Sequence, residues 1–326
     1  SFTGVMKIAS DSGNVYEGEW VDGVREGKGK YTWKAGHWYD GDWKNGRMDG
    51  IGRYSFADGA YYEGGMLKGK FHGRGKYIFP NKDTYEGDFQ ADRFHGEGAL
   101  RYSTGFYLKG QFVSDHMHGK GIFGKGEQVL YDGGWENGFY SGPGNKYYFN
   151  KDIFQGHWSN GYKEGVGEYR HNDGTYYAGG YHKGKKEGDD CQLVYSNGMS
   201  YYGSFRNGVK SGRGKLCFPD GKFYDGEFKD DLFCGQGTLY FAEDPTNPLI
   251  TKQFVPQMSR GIQNYGILPP KIQTGNIQTS QFVSGFPQPN PQFQSAMDDN
   301  FRSTANSVRK NKYLRYTGNW LNGKRD

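Results

Sequence analysis

The sequence predicts an all-β protein, an elongated single-layer antiparallel β-meander of stacked β-hairpins. Three observations carry this reading: one unit recurs ten times, rings alternate with polar residues inside it, and Asn-Gly or Asp-Gly pairs punctuate it at fixed places. The unit opens at Tyr16, Tyr39, Tyr62, Tyr85, Leu108, Tyr131, Phe154, Tyr177, Tyr201 and Tyr224, a spacing of 23 residues broken by one step of 24. A fixed period of this size marks one supersecondary unit repeated along the chain.

With Tyr16 as position 1, positions 1, 3 and 5 (Tyr16, Gly18, Trp20) alternate with Glu17 and Glu19, the period of a strand. Positions 12, 14, 16 and 18 (Gly27, Gly29, Tyr31, Trp33) alternate with Lys28, Lys30 and Thr32 in the same way. Between them lies a polar turn, Asp22-Gly23 here and Asn45-Gly46, Asn137-Gly138, Asn160-Gly161 and Asn207-Gly208 later. A second turn near position 21 carries Asp58-Gly59, Asp173-Gly174, Asn197-Gly198 or Asp220-Gly221. Such pairs supply the positive φ of tight hairpin turns. Each unit is therefore one hairpin, and at about 4.8 Å per strand ten of them predict a ribbon of roughly 100 Å.

Five segments follow: a half-unit cap at 1–15, ten units at 16–241, a degenerate unit at 242–267, an extended Pro/Gln/Asn-rich arm at 268–312, and a C-terminal half-unit at 313–326. The last contains Tyr316-Thr317-Gly318-Asn319-Trp320, and because a lone half-hairpin is unstable it is expected to add to a sheet edge, of its own chain or of another. The 24-residue step falls at Asp189-Asp190-Cys191, where a β-bulge must absorb the extra residue if the rings are to stay on one face.

Composition narrows the class. Gly makes up 55 of 326 residues and aromatics 17%, so turns and rings replace an aliphatic core. The hydrophobic fraction of 34% and mean hydropathy of −0.92 match disordered chains on average values, but a disordered chain has no reason to return a ring to one slot every 23 residues. No apolar run approaches the roughly 18–20 residues that span a bilayer. Three cysteines without CxxC spacing indicate neither a disulfide framework nor a zinc site, consistent with a reducing compartment. Residues after Phe241 hold ten Lys/Arg and five Asp/Glu, leaving 31 of each in residues 1–241. A neutral array argues against nucleic acid as a partner.

Ring–glycine alternation implies that a large side chain lies across the space left by a neighbouring glycine, so Gly18, Gly27, Gly29, Gly41, Gly50, Gly52, Gly64, Gly73, Gly75, Gly87, Gly96 and Gly98 read as structural. On the other face, acids at position 2 (Glu17, Asp40, Glu63, Glu86) are expected to pair with bases at position 13 (Lys28, Arg74, Lys120, Arg213).

The unit closely resembles the MORN repeat (membrane occupation and recognition nexus), whose pattern is Y-x-G-x-W followed by G-x-G-x-hydrophobic. The likeness is continuous over 16–241 and looser over 1–265. It implies a β-ribbon and the roles of that family: radial-spoke heads of motile cilia, protist basal and cortical scaffolds, junctophilins that tether membranes, and ribbons fused to lipid kinase or methyltransferase domains. The residues after 265 are too few and too polar for such an enzyme domain. The reading most like the family's radial-spoke members is a non-enzymatic scaffold bridging subunits of a ciliary or axonemal cytoskeletal assembly. It implies a cytoplasmic, axonemal address, protein partners, a homo- or heterodimer, and no cofactor. The alternative is a membrane-apposed, phospholipid-binding scaffold of a cortical or membrane-junction structure.

Local spacing suggests no catalytic set. His72, His95 and His118 share position 11 of successive units, and at roughly 10 Å apart they cannot jointly hold a metal ion, which needs donors at about 2 Å; they read as turn histidines. Gly27-Lys28-Gly29-Lys30 lacks the spacing of a phosphate loop. The candidate partner-binding residues are the position-5 rings Trp20, Trp43, Phe89, Trp135, Trp158, Phe205 and Phe228, because a single layer is expected to leave part of that row exposed, and the arm residues Phe282, Phe286 and Phe293.

Overall fold

The computed structural model describes residues 2–242, 313–321 and 324–325, which form two compact units, Ser1–Lys186 and Glu187–Asp326. The described residues hold no helix. In each unit every strand pairs antiparallel with the next strand in the chain, as the all-β meander predicted. The Tyr39 hairpin serves as the pattern: Trp38–Lys44 pairs with Arg47–Ser55, and the latter with Tyr61–Leu67 of the following unit.

Both turns follow from their residues. The first is a two-residue turn with positive φ at both positions, 50° and 75° at Asn45-Gly46, 51° and 71° at Ala91-Asp92. That is the type I′ geometry whose twist suits paired strands. The second is a tight turn closed by a left-handed residue, Gly36 at φ 93°: the Gly36 amide donates to the Trp33 carbonyl at 3.0 Å and the Trp33 amide to that of His37 at 2.9 Å.

The two glycines of Gly-x-Gly have separate duties. In the Tyr16 hairpin Gly18 pairs with Gly29 but Trp20 pairs with Arg25, so Glu26, Gly27 and Lys28 stand opposite Glu19 alone. Gly27 turns this bulge at φ 68°, and the Glu19 carboxylate closes it by accepting the Lys28 amide at 2.9 Å. The second glycine lies under the opening ring. A Cβ on Gly98 would come within 2.6 Å of Tyr85 Cζ, and one on Gly87 within 2.6 Å of the Glu97 carbonyl oxygen. Thus Gly27, Gly50, Gly73 and Gly96 shape the backbone, whereas Gly29, Gly52, Gly75 and Gly98, with Gly18, Gly41, Gly64 and Gly87 opposite, make room for tyrosine.

The charge ladder is shifted from the expected one. Position 2 faces position 15, as Glu17 faces Lys30, while position 13 faces position 4 of the next unit. Lys28 accordingly pairs with Asp42, and Arg74 with Asp88 at 3.5 Å. The bulge between positions 5 and 14 moves the register by two residues, which a plain hairpin count overlooks. Partial burial pushes the Asp42 carboxyl up, but the Lys28 ammonium and the Ile51 amide outweigh it and hold it below the usual carboxylate range.

Successive hairpins are clamped by carboxylates at their turns. An acid at position 11 accepts an amide from the next turn: Glu26 from Asn45 at 2.8 Å, Asp49 from Lys68 at 3.1 Å, Glu164 from Lys183 at 2.9 Å. Where position 11 is His72 or His95, the acid sits instead in the following turn. Asp92 then accepts the Phe71 amide and Asp115 the Phe94 amide, both at 2.8 Å. These histidines lie within strands, just before the bulge glycine, and not in a turn.

In the second unit Gly188 faces Phe205 and Cys191 faces Gly203, so Asp189 and Asp190 oppose Ser204 alone. This is the bulge expected at the long step, and Cys191 is buried beyond it. Tyr313–Leu321 docks on Leu232–Ala242 with Gly318 opposite Gly237 and Trp320 opposite Gly235, the register of an ordinary next unit. The half-unit therefore adds to a sheet edge of its own chain. The degenerate unit and the arm, including Phe282, Phe286 and Phe293, lie outside the described residues.

Candidate protein-binding face

One face of each hairpin carries the rings, in an inner and an outer tier. The opening tyrosines form the inner tier, with Tyr39, Tyr62, Tyr85, Tyr131, Tyr177 and Tyr224 at 0% exposure. Each hydroxyl donates to the carbonyl of position 4, for example Tyr39 to Asp42 at 3.0 Å and Tyr131 to Gly134 at 2.8 Å, both over paired glycines. A buried hydroxyl thereby keeps a partner. Burial pushes the phenols of Tyr39, Tyr62, Tyr85 and Tyr131 far above their usual range.

Position 5 belongs to this inner tier. Trp43 is wedged edge-on between Tyr16 at 5.2 Å and Tyr39 at 5.5 Å, with the Arg25 guanidinium 4.5 Å above it, and its indole donates to the Gly29 carbonyl at 2.8 Å. Phe89 lies between Tyr62 and Tyr85 in the same way. Trp43, Phe89, Trp135, Trp158, Phe205 and Phe228 are all buried, and Trp20 is half-buried. Apart from Trp20, the row expected to stay partly exposed is thus covered: Trp43 and Phe89 lie between the opening tyrosines of two units and Trp158 between Tyr131 and Phe154, with Arg25, Phe71 and Tyr140 of position 10 packed on them. Apolar exposure lies elsewhere, at Ile51 and Val166 on the charged face and at Phe139 and Tyr162 beside turns.

Position 10 drew no notice in the sequence because its residue type varies. It faces position 5 across the hairpin, so the side chain lands on the opening ring. Phe71 stacks on Tyr62 at 3.9 Å, Phe94 on Tyr85 at 3.7 Å, Tyr140 on Tyr131 at 3.8 Å and, in the second unit, Phe233 on Tyr224 at 3.9 Å. Arg25, Lys163 and Lys210 occupy the same place as cations over rings.

The outer tier comes from positions 16 and 18, the rings that open onto solvent. Within the first unit Trp33, Tyr54, Phe56, Tyr77 and Phe79 are half-buried and touch in sequence. Centroid separations are 5.4 Å for Trp33–Tyr54, 4.7 Å for Tyr54–Phe56, 5.8 Å for Phe56–Tyr77 and 4.7 Å for Tyr77–Phe79, ending 6.2 Å from Phe94. A run of half-exposed rings on a hydrogen-bonded sheet offers large, rigid contact area at little cost in side-chain entropy. Among the described residues no three His, Cys, Asp or Glu side chains gather as a metal site.

A sequence model of the MORN repeat matches residues 16–38, 39–61, 62–84, 85–106, 109–125, 131–153, 154–176, 201–223, 224–243 and 316–326. The chain belongs to the MORN repeat family. The gap at 177–200 is the unit with the long step, where Asp190 and Cys191 stand in place of the second glycine. MORN matching at 316–326 coincides with the strand that docks as a next unit. No curated protein matches the chain. Among solved structures it is similar to the TCP domain of Drosophila melanogaster SAS-4 (dCPAP) in complex with a proline-rich motif of Ana2 (dSTIL), at 13% identity and TM-score 0.24, covering 60% of this chain and 86% of that one. It is also similar to the TCP10 domain of Danio rerio CPAP, mutant (13%, TM-score 0.27, 68% and 93% covered) and wild type (12%, 0.24, 74% and 94%).

Proposed function

We propose that this MORN-repeat chain is a non-enzymatic scaffold that binds protein subunits along its outer ring tier. The observation that carries the reading is the contiguous, half-exposed run from Trp33 to Phe79, held rigid by the buried tyrosine tier beneath it. Exposed rings on a preorganised surface lose little freedom on binding, which favours protein association. We place the scaffold in a ciliary or axonemal assembly of radial-spoke type, in keeping with the regular repeats of residues 16–241 and the neutral charge of residues 1–241. The arm rings Phe282, Phe286 and Phe293 would add anchors to the same assembly.

The test is extraction of ciliated cells expressing the tagged chain. Retention with the axoneme after detergent supports the proposal, and release with the membrane fraction supports a phospholipid-binding scaffold instead. A Tyr54→Ser, Phe56→Ser, Tyr77→Ser variant, checked for unchanged circular dichroism, is expected to be lost from the axoneme. Undiminished retention of that variant would remove the ring tier from the binding surface.

A further inference from the structure

Between residues 131 and 186 the ring face changes its chemistry. Position 16, a ring at Tyr31, Tyr54, Tyr77 and Tyr169, is Lys146, and position 10, apolar or aromatic from Met48 to Tyr140, becomes Lys163 and then Lys186. Register keeps these lysines on the ring side: Lys146 faces Tyr131 and Phe154, and Lys163 faces Trp158. The Lys146 ammonium stands 4.7 Å from the Tyr140 centroid and 5.6 Å from that of Tyr148. Lys163 stands 4.1 Å from Tyr169, 4.9 Å from Phe154 and 5.8 Å from Tyr148. Both ammonium groups thus stand near one shared ring, Tyr148, at 5.6 and 5.8 Å from its centroid.

The acid within reach of this pair is already engaged. Asp152 accepts the Tyr169 hydroxyl at 2.9 Å and the Asn172 amide at 2.9 Å, and lies 3.3 Å from His171. The same turn-to-turn bond is made by Asn14 to the Lys34 amide and by Asp83 to the Ser103 amide, so Asp152 is a repeated brace and not a counterion built for the lysines. Burial lowers the affinity of both amines for their protons, Lys163 down to about 8, with the fields of Lys146 and Lys186 adding to the effect there. Crowding cations among rings costs stability that the apolar side chains of sister units avoid. Their placement makes sense if an anion completes the site.

We infer that Lys146 and Lys163 form a cationic subsite for the carboxylates of an acidic peptide segment in a partner protein, seated on Tyr148 and its neighbouring rings. The inference deepens the scaffold reading and rests on it. Charge complementarity sets the chemistry: two amines set among rings and near a shared one fit paired carboxylates whose apolar neighbours lie on the rings. A membrane surface fits poorly, since attraction to acidic lipid takes clusters of about four to eight basic residues standing clear of the fold, whereas these amines lie half-buried among aromatics.

The experiment measures binding of the full chain to a fluorescent peptide alternating Glu with Leu, to its Gln/Leu counterpart, and to vesicles containing phosphatidylserine. The Glu peptide is expected to bind at least about tenfold more tightly than the Gln peptide, one lost charge-assisted contact being worth about 1.4 kcal/mol or more. That preference should vanish in Lys146→Met, Lys163→Met, whose fold is checked by circular dichroism. Inorganic phosphate competing as well as the Glu peptide, or vesicle binding that requires the two lysines, would overturn the peptide assignment. Equal binding of both peptides, unchanged in the variant, would sink the subsite while leaving the ring-tier scaffold standing. Binding of neither peptide would also overturn it, leaving the scaffold to the axoneme extraction above.

Discussion

Residues 62–101 and 154–186 are built from the same 23-residue unit, yet they solve position 10 in opposite ways. In the first, Phe71 and Phe94 stack flat on Tyr62 and Tyr85, so the inner tier is closed by rings. In the second, Lys163 and Lys186 hold cations over Phe154 and Tyr177. The backbone and bulge are alike, so the difference lies in what the face can bind. The repeat sets a constant frame, and one variable slot per unit writes the surface chemistry onto it.

The largest expected effect tests the frame itself. Gly98→Leu puts atoms into the Tyr85 ring and is expected to cost about 3 kcal/mol or more by overpacking. Because repeats touch only their neighbours, thermal unfolding should split into separable steps. Gly73→Ala, with open space but φ 69°, should cost only about 1–2 kcal/mol. Equal losses at the two sites would erase the distinction between the glycines.

Next comes the variable slot. Phe94→Ala is expected to lose about 2–3 kcal/mol in chemical denaturation, from lost burial and stacking. Lys163→Met should be neutral or stabilising, since it removes a cation that burial disfavours. A destabilised Lys163→Met would mean that the lysine supports the fold as the phenylalanines do.

Titration sharpens the same contrast. Burial depresses the Lys163 amine from 10.5 to about 8, so between these values the unfolded chain binds more protons. Stability contributed through Lys163 must then rise with pH from about 8 toward 10. The buried tyrosines have the reverse sign: their raised values make the folded chain hold more protons above pH 10, so stability falls there. Denaturation midpoints across pH 7–11 should pass through a maximum near 10, and Lys163→Met should flatten the rising limb alone.

The smallest effect concerns the turn clamps. Asp92→Gly removes the acceptor for the Phe71 amide and is expected to cost about 1 kcal/mol. Adding His72→Glu should restore it, because position 11 carries the acid in the Tyr16 and Tyr39 units. Failure of that rescue would show that the two clamps are not exchangeable.

Hairpins, turns, the ring–glycine layer and the bulge at Asp189-Asp190 were legible because each is local: Asn-Gly fixes a turn within four residues, and strand alternation fixes the face. What stayed hidden depends on pairing across units. Trp43 looked available since nothing adjacent in sequence covers it; Tyr16, Tyr39 and Arg25 do so in space. Position 10 was missed because Phe94, Lys163 and Met48 share no chemistry, only a register with position 5. The shift of the charge ladder was missed for a related reason, since a bulge changes which residues face each other without changing the period.

The strand Tyr313–Leu321 has a consequence for how the protein is made. Its indole at Trp320 meets the Gly237 carbonyl from 83 residues away, whereas hairpin partners are close along the chain. Bringing together residues so far apart in the chain costs only about 1 kcal/mol more than joining residues twenty apart, so the penalty falls on time. At roughly 5–20 residues per second, a ribosome exposes the Leu232–Ala242 edge for on the order of ten seconds before its covering strand exists. A nascent chain is therefore most open to pairing with the wrong strand at that point of synthesis.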